Sequence, residues 1–146
     1  QLLKRILNIN LRIFEKNDKI TIKFIIGSDS HMRIAVPSHN GDIYKSCSNS
    51  RQFTIFEVED ERVVSIERRY SFIKKPEAVA DLLDEYNVSV LICNDIGSRT
   101  RKAIREHHIE LIPGVVGEVN DAIVRYLSGE KIGVPEYMYT CFNDED

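Results

Sequence analysis

The run VSVLIC at residues 88–93 constrains the fold more than any other feature of the chain. Five of its six residues are apolar, and a strand of that composition has to be covered on both faces. The segment that follows it, GSRTRKAIREHH at residues 97–108, has the pattern of a helix. A buried strand that leads through a tight turn into a helix predicts a parallel sheet with helices packed on it.

Three further strands are predicted before this unit, and they form a meander. They are MRIAVPS, which ends around Pro37, then QFTIFEVED and RVVSIERRYSF. The last two are separated by a short charged turn at residues 59–61, so they must be antiparallel. The polar segment SHNGDIYKSCSNSR, at residues 38–51, is predicted to be a loop.

The remaining pattern completes an α/β fold. Pro76 opens a helix, the short strand IELIPG follows the second helix, and GEVNDAIVRYLSGE forms the last one. A right-handed crossover places the fourth strand beside the first. We therefore predict a five-stranded mixed sheet of order 3-2-1-4-5 with helices packed on it, which is the three-layer arrangement of ribonuclease H-like folds.

The chain divides into three segments by composition. Residues 1–31 are rich in Ile, Lys and Asn and lead into GSDSHM at residues 27–32, a sequence typical of a cloning junction. We therefore expect residues 1–31 to be an extension outside the native protein. Alternating apolar residues within it, such as Ile20, Ile22 and Phe24, are compatible with a hairpin. The folded domain is expected at residues 32–131, and residues 132–146 are expected to be a frayed tail.

Composition restricts the possible functions. With 146 residues, 42% of them hydrophobic, the chain can form one domain with a real core. The net charge of −3 does not suit a general nucleic-acid binder. The three cysteines do not form a disulfide framework, which favours a cytoplasmic location. No apolar run approaches the roughly 20 residues of a membrane span.

Three loops are expected to meet beyond the carboxyl ends of the parallel strands, where open α/β sheets bind ligands. The first loop is residues 38–42, the second 94–98 and the third 113–117. Each contains glycine, which lets backbone approach a ligand closely or adopt a positive φ. Two of the loops lead into helix N-termini, whose N–H groups attract anions. The candidate binding residues are Ser38, His39, Asn94, Asp95, Gly97, Ser98, Arg99, Gly114 and Gly117.

A purely structural role for these turns is the alternative interpretation. Gly97 and Gly117 would then only permit tight strand-to-helix connections, with Ser98 as the helix N-cap. A nucleotide P-loop is excluded, because the chain has no GxxxxGK motif. A two-metal nuclease is also disfavoured, because MRIAVPS carries no acid and Asp95 alone cannot hold two ions.

A soft-metal or iron–sulfur site would need thiolate and imidazole ligands. His39, Cys47 and Cys93 all lie at or just after predicted strand ends, so they are candidate metal ligands. Cys93 ends an apolar strand and is expected to be buried, which is also typical of a purely structural cysteine. Cys47 lies in a polar loop and is expected to be exposed.

Three stretches carry a resemblance to a known family. They are MRIAVPSHNG, FTIFEVEDERVVSIE and VLICNDIGSRTRKAIREHHIELIPGVVGEVNDAIVRYLSGEK, which together cover nearly all of residues 32–131. In this order they resemble the dinitrogenase iron–molybdenum cofactor biosynthesis family. The resemblance implies a non-enzymatic protein that binds or carries the iron–molybdenum cofactor or its iron–sulfur precursor. The implied partners are a metal–sulfur cluster or small anion and other cofactor-assembly proteins, with no nucleic acid and no membrane.

The chain departs from the family pattern at one motif. Where the family typically has S-x-H-F-G-R, this sequence has SCSNSR. Arg51 is kept, whereas Ser48, Asn49 and Ser50 replace the histidine, phenylalanine and glycine. That histidine is a candidate cluster ligand in the family. Its replacement supports the alternative that this chain is an interaction or regulatory module that has lost cluster binding.

Overall fold

The structure is a computed structural model that describes residues 9–16, 19–26 and 31–134. Two sheets are formed. The strands are β1 (Ile9–Lys16), β2 (Lys19–Ile26), β3 (His31–His39), β4 (Asp42–Ile43), β5 (Gln52–Glu59), β6 (Arg62–Tyr70), β7 (Val90–Ile92) and β8 (Glu110–Ile112). The helices are α1 (Pro76–Glu85), α2 (Ser98–Glu106) and α3 (Val119–Leu127), and a 3-10 turn spans Cys47–Asn49.

The larger sheet has the order β6-β5-β3-β7-β8, so the predicted order 3-2-1-4-5 is confirmed. The meander strands β3, β5 and β6 are antiparallel, whereas β7 and β8 run parallel to β3. β3 lies at the centre of the sheet. It pairs with β5 from His31 to Pro37 but with β7 only at Ile34 and Ala35.

Helices cover both faces of this sheet and make the three layers. On one face, α1 and α2 pack on the sheet through residues such as Leu83 and Ile104. On the other face, α3 packs through Val119 and Ile123. β7 contributes Leu91 to the first core and Ile92 to the second. The apolar run at residues 88–93 is therefore buried on both faces, as expected.

The segment after Pro37 is more ordered than the sequence suggested. β3 continues to His39, and the next residues turn back as the short strand β4, which pairs with β3. Asn40 and Gly41 form the connection with φ values of 50° and 84°. A two-residue turn with positive φ at both positions is the favoured hairpin geometry, and Asn-Gly is its usual sequence. The expectation of a loop throughout residues 38–51 was therefore wrong.

The smaller sheet contains only β1 and β2, which are antiparallel. The possible hairpin within the predicted extension is thus confirmed. β3 begins at His31, one residue before the predicted domain boundary. The predicted tail lies outside the described residues from position 135 onward. In the described part of the chain, no helix is long and apolar enough to cross a membrane.

Candidate functional site

The first and third loops are joined by backbone hydrogen bonds at the carboxyl edge of the sheet. The N–H of Ile43 donates to the carbonyl of Gly117 at 2.8 Å. The N–H of Val119, the first residue of α3, donates to the carbonyl of Gly41 at 3.0 Å. The start of α3 is therefore held against the β3–β4 turn.

The second loop is joined to both of its neighbours in the same way. Cys47 N–H donates to the Asp95 carbonyl at 2.8 Å, and Asp95 N–H donates to the Lys45 carbonyl at 3.1 Å. Gly114 N–H donates to the Asn94 carbonyl at 3.1 Å. The three loops predicted to meet at this edge thus do so, and residues 44–50 lie as a strap over the end of β7.

The strap buries a pair of thiols. Cys47 and Cys93 are both 0% exposed and both are free cysteines. The burial of Cys93 was expected, but the expected exposure of Cys47 was wrong. The pairing of Ser46 with Asp95 and the 3-10 turn that follows place the Cys47 side chain in the core beneath α2. Two causes raise the pKa of the Cys93 thiol well above its ordinary value: the interaction with the Cys47 thiol is the larger, and burial is the smaller.

His39, the third candidate metal ligand, is not part of this pair. It is exposed at the end of β3, with its ring edge toward Tyr44 at a centroid distance of 6.3 Å. Its Nε2 lies 3.3 Å from the Asn40 side-chain amide. Among the described residues, no group of three ligand atoms within 4.8 Å of one another includes His39 or either cysteine.

One such group does occur, at the opposite edge of the sheet. His31, Glu57 and Glu59 have ligand atoms within 4.8 Å of one another. His31 Nε2 lies 2.9 Å from a Glu57 carboxylate oxygen, and this hydrogen bond lowers the pKa of Glu57. Sequence reasoning missed the group because it placed His31 outside the domain, and only the register of β3 against β5 reveals it. The hydrogen bond between His31 and Glu57 accounts for the closeness of these side chains without a metal ion.

The start of α2 differs in detail from the sequence expectation. Gly97, not Ser98, is the N-cap. Its φ and ψ of −68° and 157° are open to any residue, so it does not adopt a positive φ. Its N–H donates to Ser48 Oγ at 3.1 Å, and Ser48 Oγ donates to Thr100 Oγ1 at 3.0 Å. The strap is therefore bonded to the helix start through Ser48.

The other glycines of the edge do adopt positive φ. Gly114 has φ of 76° and Gly117 has φ of 104°. A side chain on Gly114 would meet Val134 at 2.8 Å, whereas nothing lies within 4 Å of a Cβ on Gly117 or Gly41. Gly117 and Gly41 thus leave open space at the surface of the edge, and Gly114 is packed beneath it.

Charge is divided along the edge. Three basic side chains are exposed here. Lys45 lies on the strap, Arg51 directly before β5, and Arg99 in the first turn of α2. Asp42 and Glu118 are exposed where the first and third loops pair. An anion would be favoured on the α2 side of the edge.

Ser38 lies below this surface. It is 3% exposed, and its hydroxyl is hydrogen-bonded to Thr54 Oγ1 at 2.7 Å. It also accepts a bond from Gln52 Nε2 at 3.0 Å. These contacts place the hydroxyl between β3 and β5, inside the sheet rather than on the open edge.

Comparison with protein families gives a direct result. A family model described as dinitrogenase iron-molybdenum cofactor matches residues 30–129. The chain belongs to this family. Ser48 stands where the family pattern described above has histidine, and it is the residue that bonds the strap to α2.

Solved structures show the same fold. A proposed dinitrogenase from Methanocaldococcus jannaschii is 21% identical with a TM-score of 0.60, covering 73% of this chain and 97% of its own. The apo form of the orange protein from Desulfovibrio gigas is 19% identical with a TM-score of 0.58, covering 73% and 96%. A proposed NifB protein from Thermotoga is 18% identical with a TM-score of 0.55, covering 70% and 95%. No curated protein matches the sequence.

Proposed function

We propose that this protein is a non-enzymatic carrier that binds an anionic metal–sulfur cluster, the iron–molybdenum cofactor or an iron–sulfur precursor, at the edge formed by the three loops. The family supports the class of ligand. The single observation that carries the placement is the Cys47–Cys93 thiol pair directly beneath the strap. Thiolates are the usual protein ligands of iron–sulfur clusters.

The surface above the thiols suits the charge of such a cargo. Arg99 and Arg51 are exposed at this edge, and α2 presents its N-terminus there. A cluster with net negative charge would be attracted by both features. Gly117 and Gly41 leave space beside it. In this proposal Asn94, Asp95, Gly97 and Ser98 line the second loop, and Gly114 supports it from below.

Thiolate ligation would require the strap to move. Both thiols are fully buried, and the raised pKa of Cys93 keeps that thiol protonated in the closed form. Displacing residues 44–50 would expose both cysteines to solvent together and would allow them to ionise. The proposal therefore includes a closed form that protects the thiols and an open form that receives the cluster from a cofactor-assembly protein.

The alternative function is an interaction or regulatory module of the same family that has lost cluster binding. Ser48 favours it, because this residue replaces the motif histidine and its hydroxyl is bonded to Gly97 and Thr100. In that function the cysteine pair is only a part of the core.

Anaerobic reconstitution with iron and sulfide distinguishes the two functions. For a carrier, we expect a stable charge-transfer band in the visible spectrum of the wild-type protein. The band should be lost in Cys47→Ala and in Cys93→Ala, and it should be retained in Cys141→Ala, which removes the third thiol of the sequence. A wild-type protein without a band supports the alternative function and contradicts the carrier.

A titration with molybdate, phosphate or sulfate tests the surface separately. If anions bind at the start of α2, the amide shifts of Gly97, Ser98 and Arg99 should move with the added anion. Arg99→Ala should weaken binding, whereas Lys102→Ala, an exposed charge in the next turn of the same helix, should not. Shifts confined to other regions would contradict an anion site at this turn.

A further inference from the structure

β6 presents an unpaired backbone edge. It is the last strand of the larger sheet, and no other strand of the described residues pairs with its outer side. Ser71 N–H donates inward to the Arg51 carbonyl at 2.8 Å. The antiparallel alternation therefore turns the N–H and C=O groups of Ile66, Arg68 and Tyr70 outward. The Arg68 carbonyl accepts a bond at 3.1 Å from the Arg69 guanidinium, which is an exposed contact.

Large apolar side chains are exposed along and just after this edge. Val64 is 53% exposed, Ile66 59% and Tyr70 51%. Beyond the strand, Phe72 is 76% exposed and stacks on Tyr70 at a centroid distance of 6.4 Å. Long edge strands with such residues usually carry protective features or a partner, and contiguous exposed apolar surface is typical of interaction sites.

The two ends of the strand carry opposite charge. Glu59, Asp60 and Glu61 precede β6 and are exposed, whereas Lys74 and Lys75 follow it and are exposed. Antiparallel pairing of two identical strands brings the beginning of one beside the end of the other. The acidic end of each copy would then lie near the basic end of its partner.

We propose that a second copy of this chain pairs with β6 in antiparallel orientation, with the two-fold axis at Ile66. This register is centred on the outward N–H and C=O groups of Ile66, because the bulge in β6 opposite Glu57 and Val58 interrupts the alternation before Ser65. It places Ile66 opposite Ile66, and it joins the two sheets into one continuous sheet. An isologous contact of this kind closes as a dimer.

The charges on the strand select this register over its neighbours. With the axis at Ile66, Ser65 faces Glu67 across the contact. Moving the axis to Glu67 places that carboxylate opposite itself, and moving it to Arg68 places that guanidinium opposite itself. Like charges directly opposite one another destabilise a strand pair.

Sedimentation velocity and hydrogen exchange test the dimer on the full chain. Between about 1 μM and about 1 mM, the range in which weak protein pairs dissociate, we expect the wild-type protein to pass from monomer to dimer. Added salt should weaken the dimer, because the charged ends are exposed. Ile66→Lys and Ile66→Glu should each be monomeric, since residue 66 meets its own copy at the axis. An equimolar mixture of the two should form a heterodimer.

Val124→Lys is the matched control, because Val124 is 67% exposed on α3 and receives the same substitution. It should dimerise as the wild type does. A wild-type protein that stays monomeric at the highest concentration overturns the proposal. A dimer that persists in Ile66→Lys, or a mixture that does not pair, overturns it too. Concentration-independent protection of the Ile66, Arg68 and Tyr70 amides in a monomer would show that another part of the same chain covers β6, which also overturns it.

Discussion

The side chains of Cys47 and Cys93 are neighbours in the core, and neither exposes any surface. Cys47 belongs to the strap and Cys93 to the end of β7, so this contact joins a surface loop to the centre of the sheet. It makes the protonation of one thiol depend on whether the loop is closed.

The stability of the protein should decrease at high pH because of Cys93. Its folded-state pKa is raised above the ordinary value of 9.0. Below pH 9.0 the thiol is protonated in both states and its contribution to stability is complete. As the pH rises from 9.0 toward the folded-state pKa, only the unfolded state releases the proton, and stability is lost by up to about 1.4 kcal/mol per pH unit. Urea unfolding of the reduced protein at several pH values measures this slope.

Cys93→Ala is the comparison for that experiment, because other groups also titrate at high pH. The difference in unfolding free energy between wild type and variant should be constant below pH 9.0 and should shrink above it. Parallel curves for the two proteins would contradict the raised pKa.

Thiol reactivity should report the movement of the strap. In a Cys141→Ala background, Cys47 and Cys93 should react with a thiol reagent far more slowly than in the unfolded protein, and both at one common rate, since both are 0% exposed under the same segment. Ser48→Ala removes the hydroxyl that bonds Gly97 and Thr100. It should raise that rate roughly fivefold, which corresponds to a hydrogen bond worth about 1 kcal/mol. Two unequal rates in the wild type would show that the thiols are exposed by separate movements.

Substitution by alanine should lower the stability of the protein by different amounts at two glycines of this edge. Gly97→Ala should lower the unfolding free energy by no more than about 1 kcal/mol, because its backbone conformation suits any residue and only the preference for glycine over alanine at an N-cap is lost. Gly114→Ala should cost about 1–3 kcal/mol, because Gly114 has φ of 76° and its new Cβ would meet Val134 at 2.8 Å. Chemical denaturation measures both. An equal loss in the two variants would contradict this assignment of strain.

A chain that begins at Met32 should keep a cooperative unfolding transition. β1 and β2 form their own sheet, and no strand pairing between the described residues joins them to the larger one. The truncation also removes His31, whose partly exposed contact with Glu57 contributes little to stability. His31→Ala in the full chain measures that part alone. Loss of the transition on truncation would show that the extension completes the core.

Strand order and helix positions could be predicted because each depended on a local pattern combined with one general rule. The apolar run at residues 88–93 and the right-handed crossover were enough to place β7 beside β3. The burial of Cys47 could not be predicted from its polar neighbours, because it results from a bridge between Ser46 and the distant Asp95. The β3–β4 turn was different. Asn40-Gly41 is a recognised hairpin sequence, so the sequence alone contains the signal for this turn.

The unequal pairing of β3 has a consequence for the order in which the protein folds. β3 is joined to β5 by a seven-residue register but to β7 at only two positions, Ile34 and Ala35. We therefore expect the antiparallel meander of β3, β5 and β6 to form a folding nucleus before β7 and β8 pair with it. The segments from β7 to α3 should in turn unfold locally before the meander does. In native-state hydrogen exchange, the backbone amides of β5 should exchange more slowly than those of β8. The loop edge would then belong to the part of the molecule that opens most readily, because it is assembled on strands of only three residues each.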